Sequence, residues 1–101
     1  MVRSVLVLRP RAGRREDVIA LFERLGVLRE ASEVPGFLGA ELHSAAGDPD
    51  ELLVTATWQS LAAYDAWLES PVRERMRPAL EKLLVEPPVP RVYELVDALA
   101  G

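Results

Sequence analysis

The sequence contains no cysteine and no asparagine, and it has a single histidine, His43. Without cysteine the chain has no disulfide, no thiol nucleophile and no zinc–thiolate site. The carboxylates and His43 do not converge at the spacing of metal ligands, and no glycine-rich phosphate-binding loop is present. We therefore expect neither a metal ion nor a bound cofactor.

Long hydrophobic runs are also missing. No apolar stretch approaches the ~18–20 residues that span a membrane, and the first residues lack the basic, apolar and cleavage regions of a signal peptide in order. We expect a cytoplasmic protein that does not bind membranes. The net charge of −4 argues against a nucleic-acid partner.

What is present fits one folded domain over residues 1–101, with half of the residues hydrophobic and 28% charged. Hydrophobic periodicity and turn signals predict the order β-α-β-β-α-β. Ser60 caps the second helical region, Ser70-Pro71 restarts it, and Pro78 is expected to break or kink it. The predicted segments are a strand at 2–9, a helix at 15–33, strands at 37–44 and 52–58, helices from 60 to about 85, and a strand from 91 to about 97. Gly26 is expected to mark a bend in the first helix or a close approach to another backbone.

This order predicts an α+β, ferredoxin-like fold in which a four-stranded antiparallel sheet carries helices on one face. Pairing Leu42 with Val54 would give two sheet faces. The helix-covered face would hold Leu38, Ala40, Leu42, Val54, Ala56 and Trp58. The opposite face would hold Phe37, Gly39, Glu41, His43, Leu53, Thr55 and Thr57.

The first strand is apolar on both faces, because Val5 and Val7 alternate with Leu6 and Leu8. The second sheet face is therefore too apolar to leave in water. We predict a homodimer with the two sheets packed face to face. The alternative is a monomer with a semi-polar open face.

Several segments together resemble the antibiotic biosynthesis monooxygenase family of the dimeric α+β barrel superfamily. They are Val34-Pro35-Gly36-Phe37-Leu38-Gly39, Asp48-Pro49, Trp58-Gln59-Ser60-Leu61-Ala62-Ala63-Tyr64 and Trp67-Leu68-Glu69-Ser70-Pro71. The resemblance implies a dimeric barrel with a ligand cavity between helices and sheet in each subunit. Some members oxidise polyketide anthrones to quinones with oxygen and no cofactor, others bind and degrade haem, and many have no assigned activity.

The haem-degrading pattern is only partly present. Those members use a strand-1 asparagine, a tryptophan on the second helical segment and a histidine ten residues later. Trp67 matches the tryptophan, but Arg77 stands at the histidine position and the asparagine position falls near Leu6. The resemblance therefore does not imply haem degradation here.

The candidate catalytic residues are Arg77, Tyr64 and Trp67. Trp67 and Tyr64 would hold the ring system, and the Arg77 guanidinium would stabilise developing negative charge on the substrate. The candidate substrate-binding residues are Phe22, Trp58, Met76 and His43. Each has an alternative: the apolar residues are equally typical of a core, Arg77 of a solvated helix face, and His43 of a structural residue paired with Glu41.

These observations favour a cofactor-independent monooxygenase that acts on a planar aromatic or polyketide-like, anthrone-type molecule. Such a reaction needs an apolar pocket and groups that favour the deprotonated substrate. The alternative is a non-catalytic barrel of the same fold that binds a small ligand or mediates dimerisation. A third class, such as isomerisation of a small metabolite, also stays open.

Overall fold

The computed structural model describes all 101 residues and contains four strands and four helices. The predicted order is confirmed, with each predicted helical region divided in two. The elements are β1 Val2–Leu8, α1 Arg15–Leu25, α2 Val27–Ser32, β2 Phe37–Ser44, β3 Leu52–Trp58, α3 Leu61–Leu68, α4 Pro71–Leu83 and β4 Arg91–Glu94.

The four strands form one antiparallel sheet in the order β2-β3-β1-β4. This is the strand order of the ferredoxin-like fold, so the predicted fold class is confirmed. Leu42 pairs with Val54 as predicted, and Leu6 lies on the other side of Val54. Because strand residues alternate between faces, this register turns the even-numbered residues of β1 and β3 toward the helices.

A β-bulge at the start of β2 changes the predicted faces. Phe37 pairs with Trp58 and Gly39 pairs with Thr57, so Leu38 is the extra residue. A bulge inserts one residue and reverses the alternation on its N-terminal side. The prediction for two residues was therefore wrong: Phe37 packs on the helix-covered side, with its ring 5.5 Å from that of Trp58, and Leu38 is 46% exposed.

The predicted helix at 15–33 is interrupted at Gly26. Gly26 has φ of 62° and ψ of 41°, which is the left-handed conformation that ends α1, and α2 starts at the next residue. The predicted bend is confirmed. No atom lies within 4 Å of where a Gly26 Cβ would be, so no other backbone approaches it closely.

Of the predicted break or kink at Pro78, the break is wrong, because helix α4 continues through this residue. Pro78 is exposed, while Val72, Met76 and Leu80 of the same helix are buried. Because Pro78 has no N–H, the backbone carbonyl of Glu74, four residues earlier, has no helical donor, and this carbonyl faces solvent. The buried stripe holds both halves of the helix on the sheet.

The last strand is shorter than predicted and ends at Glu94 instead of about 97. Val2 pairs with Glu94, and the Leu95 N–H donates to the Met1 carbonyl at 3.0 Å. Residues beyond Leu95 find no further partner on β1. At the other end of β4, the Glu86–Pro90 connector follows the part of β1 that β4 does not pair with.

The core consists of two clusters between the sheet and the helices. The larger surrounds Leu8, Phe22, Leu52 and Val72, and the smaller surrounds Trp58. Trp67 packs against both clusters and joins them. No helix is long and apolar enough to cross a membrane.

Gly36, just before β2, lies close to Ala63 of α3, and a substitution can test this contact. Gly36 has φ of 93°, and an added Cβ would lie 2.8 Å from the Ala63 Cβ. We expect Gly36→Ala to lower the free energy of unfolding by about 2–4 kcal/mol, because backbone strain and a steric clash add. Urea unfolding measures this change.

Gly26→Ala is the matched control, since Gly26 also has a positive φ but no neighbour within 4 Å. Gly26→Ala should lower the free energy of unfolding by about 1 kcal/mol, through backbone strain alone. Equal losses for the two variants would contradict the proposed contact with Ala63.

Candidate functional site

A cavity of about 50 Å³, here called the inner pocket, lies between the helices and the covered face of the sheet. Sixteen residues line it, and thirteen of them are hydrophobic. The other three are Ser4, Arg73 and Pro90. The inner pocket is thus an apolar chamber with very few polar groups, as is typical of ligand sites.

One wall of the inner pocket is an aromatic cluster around Trp58. The Trp58 ring stacks on Trp67 at 6.2 Å with 25° between the planes, and it meets Tyr64 edge-on at 6.2 Å. The Trp58 N–H donates to the Ser4 hydroxyl at 3.1 Å, which satisfies the one polar atom of a fully buried side chain. The wall therefore presents mostly ring surface.

Arg73 is the only charged side chain that lines the inner pocket. Of the eleven arginines only Arg15 and Arg73 are half-buried, and Arg15 contacts Glu16 at 3.5 Å. Arg73 has no carboxylate within ion-pair distance. A half-buried guanidinium without a counter-ion attracts anions strongly, because little water screens it.

Tyr64 lies beside this cation. Burial raises the pKa of the Tyr64 hydroxyl above its ordinary value of 10.0, while the charge of Arg73 and contact with its guanidinium oppose that rise. The two side chains do not form a hydrogen bond of ordinary geometry. Since burial dominates, Tyr64 is a neutral phenol at pH 7 and acts as a hydrogen-bond donor.

A second depression, here called the groove, adjoins the inner pocket between α4 and the Glu86–Pro90 connector. Its volume is about 160 Å³. The two share four lining residues, which we call the neck: Leu6, Arg73, Met76 and Pro90. Arg73 therefore borders both the groove and the inner pocket.

Comparison with known proteins identifies the family of this chain. A family model described as antibiotic biosynthesis monooxygenase matches residues 1–79. The chain belongs to the antibiotic biosynthesis monooxygenase family. Protein SchA from Streptomyces halstedii is 32% identical over 69 residues, which cover 68% of this chain and 18% of SchA. This chain thus spans less than one fifth of the length of that curated relative.

Solved structures with the same fold include Rv0793 from Mycobacterium tuberculosis, which is 23% identical with a TM-score of 0.85 and 98% of each chain covered. A mutant of SnoaB from Streptomyces nogalater, described as a cofactor-independent oxygenase, is 17% identical with a TM-score of 0.83. The alignment covers 99% of this chain and 97% of SnoaB. At these sequence identities the similarity shows a shared fold and nothing more.

In this member of the family the inner pocket gathers five of the seven candidate residues. They are Phe22, Trp58, Tyr64, Trp67 and Met76. Phe22, Trp58, Tyr64 and Met76 are buried, and Trp67 is half-buried. The same side chains also belong to the core clusters, so the pocket wall and the core are one structure.

The structure does not bring Arg77 into the inner pocket. The Arg77 side chain is 58% exposed, and its guanidinium contacts the Glu74 carboxylate at 3.1 Å. It lines the groove, one helical turn beyond Arg73. Arg77 follows Arg73 by four residues and lies on the same face of α4, one turn farther along the helix, and only Arg73 lines the inner pocket.

His43 lies on the opposite face of the sheet, away from the inner pocket. Its Nε2 is 3.4 Å from Glu41 Oε1, the structural pairing that is the alternative to substrate binding. His43 pairs across the ladder with Leu53, which belongs to the uncovered face. Strand alternation separates this face from the inner pocket by the thickness of the sheet.

Two polar residues of the site, Arg73 and Ser4, are absent from the sequence-based candidates. Arg73 precedes Met76 by three residues and follows the buried Val72, so helical spacing already puts it beside the apolar stripe. Ser4 is the polar residue in the apolar run of β1, on the face that the alternation turns toward Trp58. Both signals lie in the sequence pattern.

The raised pKa of Tyr64 gives a pH dependence of stability. Above pH 10 the unfolded tyrosine loses its proton before the folded one, so the folded state holds more protons. We expect the free energy of unfolding to be unaffected by Tyr64 below pH 10 and to fall as the pH rises beyond it. Urea unfolding at pH 8 and pH 11 would measure the loss.

The Tyr64→Phe variant is the comparison, because it removes the titrating hydroxyl and keeps the ring. Its stability should decline less than that of the wild type between the two pH values. A decline of the same size in both proteins would show that Tyr64 does not titrate with a raised pKa.

Proposed function

We propose that this protein is a cofactor-independent monooxygenase that acts on a planar aromatic, anthrone-type molecule. The observation that carries the proposal is the half-buried, unpaired Arg73 guanidinium beside the neutral Tyr64 at an apolar pocket. This combination favours a substrate that becomes an enolate or phenolate as it binds. Membership of the antibiotic biosynthesis monooxygenase family supports the reaction class.

In the proposed reaction Arg73 stabilises the substrate anion, after the substrate has lost one proton to water. Tyr64 donates a hydrogen bond to the same oxygen, and Trp67 contacts the reacting edge of the ring system. Arg73 thereby takes the role that the sequence suggested for Arg77. Arg77 remains a candidate for a weaker, longer-range contribution, since Glu74 offsets its charge.

Oxygen supplies the oxidising equivalents. The substrate anion passes one electron to dioxygen, and the resulting radical and superoxide combine through a new C–O bond. The peroxide takes up a proton, its O–O bond breaks, and the carbon loses its remaining hydrogen as a proton. A methylene carbon thus becomes a carbonyl, and the second oxygen atom leaves as water.

A test uses dithranol as substrate and follows quinone absorbance with and without air. We expect oxygen-dependent turnover, and a loss of kcat/KM of about 100-fold in Arg73→Gln, since removing one oxyanion-stabilising group commonly costs that much. Arg77→Gln should lose less. Arg75→Gln is the matched control, because Arg75 is an exposed arginine of the same helix that lines neither the inner pocket nor the groove.

The second candidate is a barrel that binds a small ligand without turning it over. The small volume of the inner pocket and the stacked Trp58 and Trp67 favour it. Equal dithranol oxidation by the wild type and by Arg73→Gln would contradict the oxygenase proposal and favour this candidate.

We also propose that two copies associate through the uncovered sheet faces. This face presents Val5, Val7 and Leu53, together with Thr55 and Thr57. Val7 is 39% exposed in the single chain, and covering such a patch removes apolar surface from water.

The Val7→Glu substitution tests this association, because a carboxylate buried between two sheets would lack a partner. We expect sedimentation velocity to find a dimer for the wild type and a monomer for Val7→Glu, with unchanged secondary structure by circular dichroism. Leu61→Glu is the control, since Leu61 is an exposed apolar residue of α3 on the other side of the sheet. A wild-type monomer would overturn the proposal.

A further inference from the structure

The side of α4 that lines the groove carries a row of charged residues beside a row of apolar ones. Arg73, Arg77 and Glu81 follow one another at intervals of four residues, and Met76 and Leu80 lie three residues after Arg73 and Arg77. Residues three and four apart are neighbours on one face of a helix. Because the helix rises by about 1.5 Å per residue, Arg73 and Glu81 stand about 12 Å apart along its axis.

The charged row changes sign from one end of the groove to the other. Arg73 is half-buried and has no carboxylate within ion-pair distance, whereas the Arg77 guanidinium contacts Glu74 at 3.1 Å. Glu81 has no cationic side chain within ion-pair distance. An anion in the groove is therefore attracted to the Arg73 end and repelled from the Glu81 end.

The rest of the groove is apolar and has the size of one aromatic ring. Met76 and Leu80 line it from the helix and Leu6 from the sheet, and the connector contributes three prolines, Pro87, Pro88 and Pro90. Prolines have no backbone N–H, so the connector side offers apolar surface without donors. The groove volume of about 160 Å³ is close to that of a cavity, about 150 Å³, that holds benzene in another protein.

A carboxylate is the anion that suits the Arg73 end of the groove. Its two oxygens lie in one plane and match the planar N–H donors of a guanidinium, and such charge-assisted hydrogen bonds are stronger than neutral ones. A ligand carboxylate would supply the counter-ion that Arg73 lacks. Arg77 adds a second positive charge, which the exposed Glu74 only partly offsets.

We propose that the groove is a binding site for a single-ring aromatic carboxylate of the benzoate class. The carboxylate pairs with Arg73 and Arg77, and the ring lies between α4 and the proline-rich connector with its far edge toward Glu81. This site is distinct from the inner pocket, with which it shares the neck. Because the bound acid neutralises Arg73, it inhibits the oxygenase, a step that rests on the proposed function.

Methyl NMR of the wild-type protein tests where benzoate binds. Leu80 lines the groove but not the inner pocket, and Val27 lines the inner pocket but not the groove. We expect benzoate to shift the Leu80 methyl signals saturably and to leave those of Val27 in place. Benzyl alcohol keeps the ring without the charge and should bind about tenfold more weakly. Equal affinities of the two probes, or shifts at Val27 without shifts at Leu80, would overturn the proposal.

Charge variants of α4 test which arginine holds the carboxylate. We expect Arg73→Gln to weaken benzoate binding about tenfold and Arg77→Gln to weaken it less, because Glu74 already offsets the charge of Arg77. Arg75→Gln is the matched control, since Arg75 is an exposed arginine of the same helix that does not line the groove. Undiminished benzoate affinity in an Arg73→Gln protein that is folded by circular dichroism would contradict the proposed pairing.

Terephthalate tests the orientation of the ring. It carries a second carboxylate opposite the first, and the groove would direct that second charge toward Glu81. We expect the wild type to bind terephthalate more weakly than benzoate, and Glu81→Gln to reduce this difference. A general attraction of anions to exposed arginines predicts the reverse order, because terephthalate has the larger charge. Tighter binding of terephthalate by the wild type would therefore overturn the proposal.

Tyr64 reports on Arg73 without any substitution in the groove. Burial raises the pKa of the Tyr64 hydroxyl, the charge of Arg73 lowers it, and the charge of Asp65 raises it. Benzoate that neutralises Arg73 should therefore raise the Tyr64 pKa further. Tyrosinate absorbance of Tyr93→Phe measures this, because Tyr64 is then the only tyrosine, at pH values where circular dichroism shows a folded protein. An unchanged Tyr64 pKa at saturating benzoate would contradict the pairing with Arg73.

An activity assay separates this proposal from the proposed function. We expect benzoate to slow dithranol oxidation with an inhibition constant equal to its Kd for the groove. If benzoate shifts Leu80 and raises the Tyr64 pKa but dithranol is not oxidised, the groove site stands and the oxygenase proposal fails. If dithranol is oxidised but benzoate leaves Leu80 in place, the groove site fails. Oxidation at the full rate with the groove saturated would overturn inhibition through Arg73.

Discussion

The burial of Trp58 is the constraint on which the rest of the structure depends. This residue is fully buried at the end of β3, where it pairs with Val2 on one neighbouring strand and Phe37 on the other. Its ring stacks on Trp67, and its N–H is bonded to Ser4. One side chain thereby aligns three strands and docks the helices that follow. Because the same ring forms a wall of the inner pocket, the stability of the fold and the shape of the site cannot be altered independently.

Much of the fold follows from the sequence pattern. The β-branched and leucine-rich runs in Val2–Leu8 and Leu52–Trp58 and the Pro-Gly turn were enough to place the strands and the antiparallel hairpin, and the serine caps placed the helix starts. The bulge at Leu38 was not visible, because an extra strand residue leaves no mark in composition and only the partner strand reveals it. The continuation of α4 through Pro78 was not visible for a related reason: the effect of a proline depends on whether its side of the helix meets solvent or the sheet, and that is decided by tertiary packing.

The apolar lining of the candidate site was predictable from the sequence, and its polar groups were less so. Phe22, Trp58, Tyr64, Trp67 and Met76 line the inner pocket because large side chains on the covered faces must meet there. Arg73 and Arg77 share one face of α4, so choosing between them requires knowing how far along the helix the inner pocket reaches. The sequence favoured Arg77 because it precedes Pro78, where a helix break would let side chains point inward, whereas burial and the missing counter-ion single out Arg73. The absence of a counter-ion beside Arg73 is a property of the folded chain, and residue spacing alone does not predict it.

The proline-rich connector also has a consequence for the sheet itself. β4 pairs with β1 only over Val2–Val5, and Pro87, Pro88 and Pro90 run beside the remainder. Three residues without backbone donors cannot continue the ladder, so the sheet has a permanent notch at this edge. The notch protects the edge from pairing with foreign strands. It also forms one side of the groove, so that side of the groove is not closed by a sheet strand.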